Sequence, residues 1–444
     1  MTPLGYAVMA LVLVHFWIAL AKDYSKGILV AVFYLVWLPH PLRLEISGPL
    51  PELTIHRIIL FFLLGAGIRQ ARLGDLRGRV PLFGFFVAGF IVQTISMILS
   101  MDPGLSFKRL FGTVFEDYLL FILIVASVGR KAEAIGILKA AALGLAIGGL
   151  LTPLDYYKGI NLTAYVVSSA PMLDRGGSAG SYMHRIHLGY AMAMGFPLLL
   201  AFLREATRAI DKVRSMAYIA SVSSACYFGM SRGPWMGAIL AGGVLFGAGT
   251  RRLKTMLMVL GIIPLVLMAA LPGVRETVVG MLDSVFVHNG EQEASAEYRK
   301  ILWKVADAKI GVSSTRFLFG CGGLTTELMD ISEFFERGRG GNVMASGYSS
   351  WDSQWAANLV QFGWIGFLLE ILMRLKLLQL QLQGWKKASD LHIKELLLAI
   401  IASNAVYTWA MLTVSMFSPQ LKYLFWATAA ASLILASDAE AAET

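Results

Sequence analysis

Two residues sit in unusual places for a chain this apolar. Arg232 lies in "MSRGPWMGA", between two apolar runs with almost no loop to separate them. Asp352 lies in "GYSSWDSQW", at the mouth of another long apolar run. A planar guanidinium matches phosphate oxygens through paired N–H donors, so Arg232 suits a phosphate clamp. Its bland alternative is an arginine that snorkels to lipid headgroups. Gly233 and Pro234 allow a tight turn and a helix restart, proline being tolerated in the first turn of a helix. Asp352 fits a helix N-cap or first-turn position, where a carboxylate accepts amide hydrogen bonds. It equally fits a general base that takes a proton from a sugar hydroxyl.

Other residues group with these two. "MLDRGGSAGSYMHRIHLGYA" holds Arg175, His184, Arg185 and His187 ahead of an apolar run. Arg175 is in a Gly/Ser-rich stretch, where backbone amides can approach a ligand closely. Arg185 and the histidines are either substrate contacts or interfacial residues. Arg299, in "EYRKILW", is a further contact or part of a charged helix face in water. Gln354 and Trp355 follow Asp352 closely enough to share its ligand. Trp235, Tyr348, Trp351 and Trp355 fit the Trp and Tyr belt common at membrane interfaces. Glu116 and Asp117 fall inside an apolar run, and an acidic pair inside a span is a functional-site hypothesis by default. His56 and Arg57 can face the same interior.

The elements that must carry these groups are membrane spans. Of 444 residues, 57% are hydrophobic and only 15% charged, against about 25% charged in soluble domains. Apolar runs occur near 4–21, 25–39, 54–68, 80–100, 109–129, 134–152, 187–203, 215–230, 233–250, 254–271, 355–373, 394–416 and 419–436. Each approaches the roughly 20 residues a spanning helix needs, so the fold class is an all-α polytopic membrane protein of about 12–13 spans. The run at 25–39 is short and leaves twelve open. Barrel-type alternation is lacking. The net charge of +9 does not point to nucleic acid, because the basic residues are dealt out among loops rather than gathered on one face. Cys226 in an apolar run and Cys321 in a loop suggest neither a disulfide framework nor a metal site. Ala19-Leu20-Ala21 has the look of a signal-peptidase site, but no basic segment precedes it, so the first run reads as an uncleaved helix.

Lys and Arg collect in alternate loops: Lys22 and Lys26; Arg69 to Arg79; Arg130 and Lys131; Arg204 to Arg214; Arg251 to Lys254; Arg374, Lys376, Lys386, Lys387 and Lys394. The positive-inside rule makes this set cytoplasmic. Two longer segments, about 155–186 and 272–352, then fall outside, together with Arg232 and Asp352. The expected organisation is spans one to ten over 1–271, one large periplasmic loop over 272–352, and C-terminal spans with a short acidic tail over 353–444. In the loop, "SAEYRKILWKVADAKI" has helical periodicity, while "GCGGL" and "ERGRGGN" read as turns.

Several stretches together resemble the O-antigen ligase and polymerase superfamily of bacterial envelope proteins. "SRGPWMGA" is similar to its Ser-Arg-Gly-x-Trp segment. "RKILWKVADAKI" with the later "FLFGCGGL" resembles its Arg-x-x-x-Trp helix and Gly-x-Gly turn. "DSQWAANLVQFGWIGFLLE" resembles its polar pair followed by Gly-x-x-Gly entering a span, and the Arg185 segment is similar more loosely. Ligases of the family carry His-Asn where this chain has Asp352-Ser353. That departure weakens a ligase and favours a polymerase of lipid-linked repeat units.

The resemblance implies a glycosyltransferase-C-like enzyme of the bacterial inner membrane, with its active site facing the periplasm. The donor would be an undecaprenyl-pyrophosphate-linked glycan, handled without metal or other cofactor. Asp352 would be catalytic, and Arg232, Arg175 and Arg185 would bind the donor pyrophosphate. Arg299, His184, Gln354 and Trp355 would touch substrate. Expected partners are membrane lipids and the flippase and chain-length regulator of the same pathway; nucleic acid is not one. An O-antigen ligase acting on lipid A core or protein is the alternative. A transporter would call for repeat symmetry or charges deep in several spans, and a passive scaffold leaves Arg232 and Asp352 unexplained.

Overall fold

The structure is a computed structural model. It describes the chain apart from residues 45–50, 71–75, 168–177, 287–290, 330, 332–333, 335–350 and 442–444, and apart from the side chains of 281–297 and 438–441. All thirteen apolar runs fall on helices. These are α1 (Pro3–Lys22), α2 (Tyr24–Leu35), α3 (Ile55–Arg69), α4 (Phe83–Ile98), α5 (Pro103–Ser127), α6 (Lys131–Lys158), α7 (Arg185–Glu205), α8 (Ala209–Phe228), α9 (Arg232–Ala248) and α10 (Arg251–Ala270). The large loop contributes α11 (Pro272–Phe286) and α12 (Glu291–Ile310), and the chain ends with α13 (Gln354–Lys387), α14 (Leu391–Thr413) and α15 (Pro419–Ala441). Among the described residues, seven helices are both long and apolar enough to cross a membrane: α1, α5, α6, α7, α10, α13 and α14. The chain is therefore an all-α polytopic membrane protein. Its described strands form one two-stranded ladder, Arg43–Leu44 antiparallel to Leu53–Thr54.

Helix starts follow local chemistry. Thr2, Thr54, Asp102, Thr250 and Ser353 each accept a backbone N–H from the first turn they precede, which satisfies a donor the helix cannot. Expected as a cap or first-turn residue, Asp352 is neither: Ser353 takes the cap, accepting from Ala356 N at 3.4 Å. A hydroxyl one residue nearer the helix reaches the orphan amide first, so Asp352 sits just outside the cap. The predicted helix at "SAEYRKILWKVADAKI" is the body of α12, and its Tyr298, Leu302 and Val305 are buried. The stretch "ERGRGGN" lies outside the described residues.

α7 and α15 form the inside of the bundle, and α1 and α10 its rim. Met258, Val259, Ile262, Ile263, Leu265 and Val266 of α10 are exposed, as are Leu11, Val14 and Trp17 of α1. An apolar rim of this kind is what lipid, rather than water, would solvate. Without a hydrophobic drive between helices in lipid, close packing and polar contacts hold them together. Ser221 on α8, for example, donates to Ala146 O of α6 at 2.6 Å.

Loop contacts sort into two ends. Arg204 pairs with Glu395 at 2.9 Å and Ser25 donates to Glu133 at 3.1 Å at one end. At the other, Ser178 N donates to Phe228 O at 3.0 Å, Gln354 N to Val414 O at 3.3 Å and Gln420 Nε2 to Leu38 O at 3.0 Å. Arg232 and Asp352 share this second end. One expectation fails here. Arg374 is not in a basic loop, because α13 continues as helix to Lys387 and holds Arg374 in its interior, bonded to Glu370 one turn earlier.

Candidate active site

The site is built around the segment 413–418 that joins α14 to α15. Its free backbone groups are satisfied by side chains from other elements. Arg299 Nη2 of α12 donates to Thr413 O at 3.1 Å. His187 Nε2 of α7 donates to Ser415 O at 2.8 Å. Met416 N donates to Gln354 Oε1 at 2.7 Å, and Gln354 Nε2 donates to Asn358 Oδ1 at 2.7 Å. The hydroxyls of Tyr190 and Thr413 are hydrogen-bonded to one another. Phe417 lies edge-on to His187, ring centres 4.1 Å apart.

Tyr190 links this segment to the start of α9. A Cβ on Gly233 would run into its hydroxyl, so only glycine lets α9 begin there. Trp409 Nε1 donates to Gly233 O at 3.3 Å. The turn before α9 is tight: Met230 has φ +46°, a left-handed conformation uncommon for a side-chain-bearing residue. Its carbonyl accepts from Arg185 Nη1 at 3.2 Å. Such strain is typically held in place where function needs it, at about 1–3 kcal/mol. Arg185, Arg232 and Arg299, all half-buried, thus gather at one end of the bundle. Asp352, half-buried as well, lies two residues before Gln354. His184 caps α7, its Nδ1 accepting from Ile186 N at 3.2 Å, and its ring lies against His187 and Phe417. Trp355 is turned away from the arginines and packs on Phe367 and over Arg374. Trp351 is buried, its indole N–H donating to Thr326 O at 3.1 Å. Arg175 and Tyr348 lie outside the described residues.

The two glycine motifs form one joint. Gly363 breaks α13 with φ +62° and ψ −170°. A break there orphans the carbonyls of Val360 and Gln361, whose helical partners lie four residues on. Cys321 N and Gly322 N supply the missing bonds, at 2.8 Å and 3.0 Å. Contact this close needs glycine on both sides: a Cβ on Gly320 would run into the Gln361 carbonyl, and one on Gly363 into Leu318 O. Non-helical backbone inside a span is tolerated only when its polar groups are met in this way.

Residues 217–371 match the protein family described as O-Antigen ligase. This match, over about a third of the chain, supports a likeness to the O-antigen ligase and polymerase superfamily. The matched segment takes in Arg232, Arg299, the Gly320–Gly363 joint, Asp352 and Gln354, whereas Arg185 lies upstream of it. No curated protein matches the sequence. Proteins of the matched family suggest a glycosyl-transferring activity on a lipid-linked glycan.

A second polar region lies deeper in the bundle. The acidic pair Glu116–Asp117 sits on a π-turn, Val114–Leu119, within α5; such turns often mark functional sites. Lys422 of α15 reaches both acids, at 3.3 Å and 3.6 Å, and Arg57 pairs with Glu116 at 2.8 Å. His56 stacks on Tyr423 nearby. Beside this network is a cleft of about 710 Å³ including its mouth, whose lining includes Gln93, Arg109, Asp117, Tyr118, Glu370, Arg374, Lys422 and Trp426, together with Gln354, Asn358 and Met416. Gln354 and Met416 thus belong to both regions. Sequence reasoning found Glu116, Asp117, His56 and Arg57 but missed Arg109, Glu370, Arg374, Lys422, Tyr190 and Thr413. Lys422, three residues into the last apolar run, and the Glu370/Arg374 pair spaced i,i+4 were the available signals.

Proposed function

We propose that this protein polymerises undecaprenyl-pyrophosphate-linked oligosaccharide repeat units on the periplasmic face of the inner membrane. The observation that carries the reading is the gathering of Arg185, Arg232 and Arg299 at the end that also holds Asp352. In glycosyl transfer from a lipid pyrophosphate, the acceptor hydroxyl oxygen forms a bond to the anomeric carbon as the carbon–phosphate oxygen bond breaks. Negative charge grows on the departing diphosphate. Fixed guanidinium groups stabilise that charge where it develops, with no reorganisation at the moment of reaction. Asp352 orients the attacking hydroxyl and takes its proton, and attack from the far side inverts the anomeric carbon. Asp352-Ser353 in place of the ligase His-Asn supports polymerase over ligase.

Glycan chain length tests the reading. Deleting the gene in its host should leave surface or secreted polysaccharide as single repeat units. Accumulation of long lipid-linked chains instead would mark a ligase and refute the polymerase assignment.

A further inference from the structure

The deeper cleft has a charge that the reaction centre does not use. Lys422 is held by Glu116 and Asp117, Arg57 by Glu116, and Arg374 by Glu370 at 2.8 Å. That closes three basic side chains against three acidic ones. Arg109 remains. It lines the cleft, forms no ion pair among the described residues, and its buried Nε has no hydrogen-bond partner there. Arg109 is within electrostatic reach of Glu116 and Asp117 but is closed in no ion pair, which leaves its donors available to an anion.

The position of Arg109 is also built. Gly323, the last glycine of "GCGGL", packs against its stem, and a Cβ there would lie 2.6 Å from Arg109 Cγ. Ser106, one turn earlier on α5, donates to Gly323 O at 3.0 Å. The loop turn therefore fixes where the guanidinium emerges. Around it are amides (Gln93, Asn358) and aromatic rings (Tyr118, Trp426). Asn358 gives its carbonyl oxygen to Gln354, and its amide nitrogen has no partner among the described residues. Arg374 and Lys422 also line the cleft, each paired with an acid, so amides, rings and one cation outside those pairs are the complement of a sugar that carries an acid: hydroxyls for the amides, a ring face for the aromatics, a carboxylate for Arg109.

We infer that this cleft seats the terminal sugar of the acceptor glycan, and that Arg109 selects an acidic sugar by binding its carboxylate. This deepens the glycosyl-transfer reading and rests on it. The shared residues Gln354 and Met416 connect the cleft to the arginine cluster.

Binding to the purified protein in nanodiscs tests this without any turnover. The probes are trigalacturonate, the neutral trisaccharide maltotriose, and inorganic pyrophosphate, read by tryptophan fluorescence with Trp426 in the cleft wall. Wild type should bind trigalacturonate more tightly than maltotriose. Arg109→Gln should weaken trigalacturonate by about tenfold or more, as expected for a lost charge-assisted bond, and leave maltotriose unchanged. Arg109→Lys should retain most of the preference, which separates charge from folding. Equal affinity for the two trisaccharides, no binding of trigalacturonate, or an unchanged Arg109→Gln would each overturn the inference. So would loss of pyrophosphate binding in Arg109→Gln, which would make the cleft a phosphate site. If the host's glycan pattern indicates a ligase while Arg109→Gln still loses acid selectivity, the polymerase reading falls and the cleft assignment stands.

Discussion

The arginine cluster and the deeper cleft use the same residue types in opposite ways. In the cluster, the partners of Arg185 and Arg299 include backbone carbonyls, Met230 O and Thr413 O. In the cleft network, Arg57, Arg374 and Lys422 are matched to carboxylates. A carbonyl contact fixes the direction of a guanidinium, whereas a carboxylate ties it into an ion-pair network. The lesson is that the same cation can be aimed by backbone at the end of the bundle and bound into acids deeper in. Arg109, inside the second region, takes no part in the ion pairs described there.

Substitutions can break that contrast. The largest effect is expected from Arg232→Ala, which should cut polymerisation by about 10²–10³-fold, the usual loss for one charge-stabilising donor, with protein level and unfolding temperature unchanged. Arg232→Lys should recover only part, since an ammonium lacks the planar fork; full activity in that variant would refute the bidentate clamp. Lys422→Met should act on stability instead. It leaves Glu116 and Asp117 buried without their shared cation, a loss of about 3–5 kcal/mol, visible as a lowered unfolding temperature in detergent. If Lys422→Met folded as well as wild type yet lost activity, the division between the two regions would collapse. Gly363→Ala should cost roughly 1–3 kcal/mol from its left-handed φ alone, checked by thermal unfolding. The smallest change is Ser353→Ala, about 1 kcal/mol for a lost cap. Asp352→Asn should leave stability untouched and lower activity by about 10²-fold, the low end for a lost general base. Loss of stability there with retained turnover would return Asp352 to a structural role.

Hydropathy marked all thirteen helices because each depends on its own composition. It was weaker where a helix outruns its apolar stretch. α13 carries Arg374 beyond the run that ends near 373, and counting basic residues by loop therefore assigned that arginine to the wrong surroundings. The position of the cap was local but finely balanced, with two good capping residues adjacent and only Ser353 in reach of Ala356 N. The arginines at the end of the bundle were legible because a cation at a span mouth is conspicuous. Arg109 was not, since its significance lies in what surrounds it: partners on α13 and α15, and a glycine in the loop some two hundred residues away. The Gly320–Gly363 joint was visible as two separate turn signals, but nothing in either stretch indicates that one supplies the hydrogen bonds the other gives up.

That joint governs how the outer segment can move. Two of its amides are stitched into the ladder of a transmembrane helix, and the stem of Arg109 is wedged beneath the next glycine. The stretch from Leu318 to Gly323 must therefore travel with α13 as a rivet travels with its plate. Whatever flexing the outer segment undergoes is confined to the chain on either side of this point.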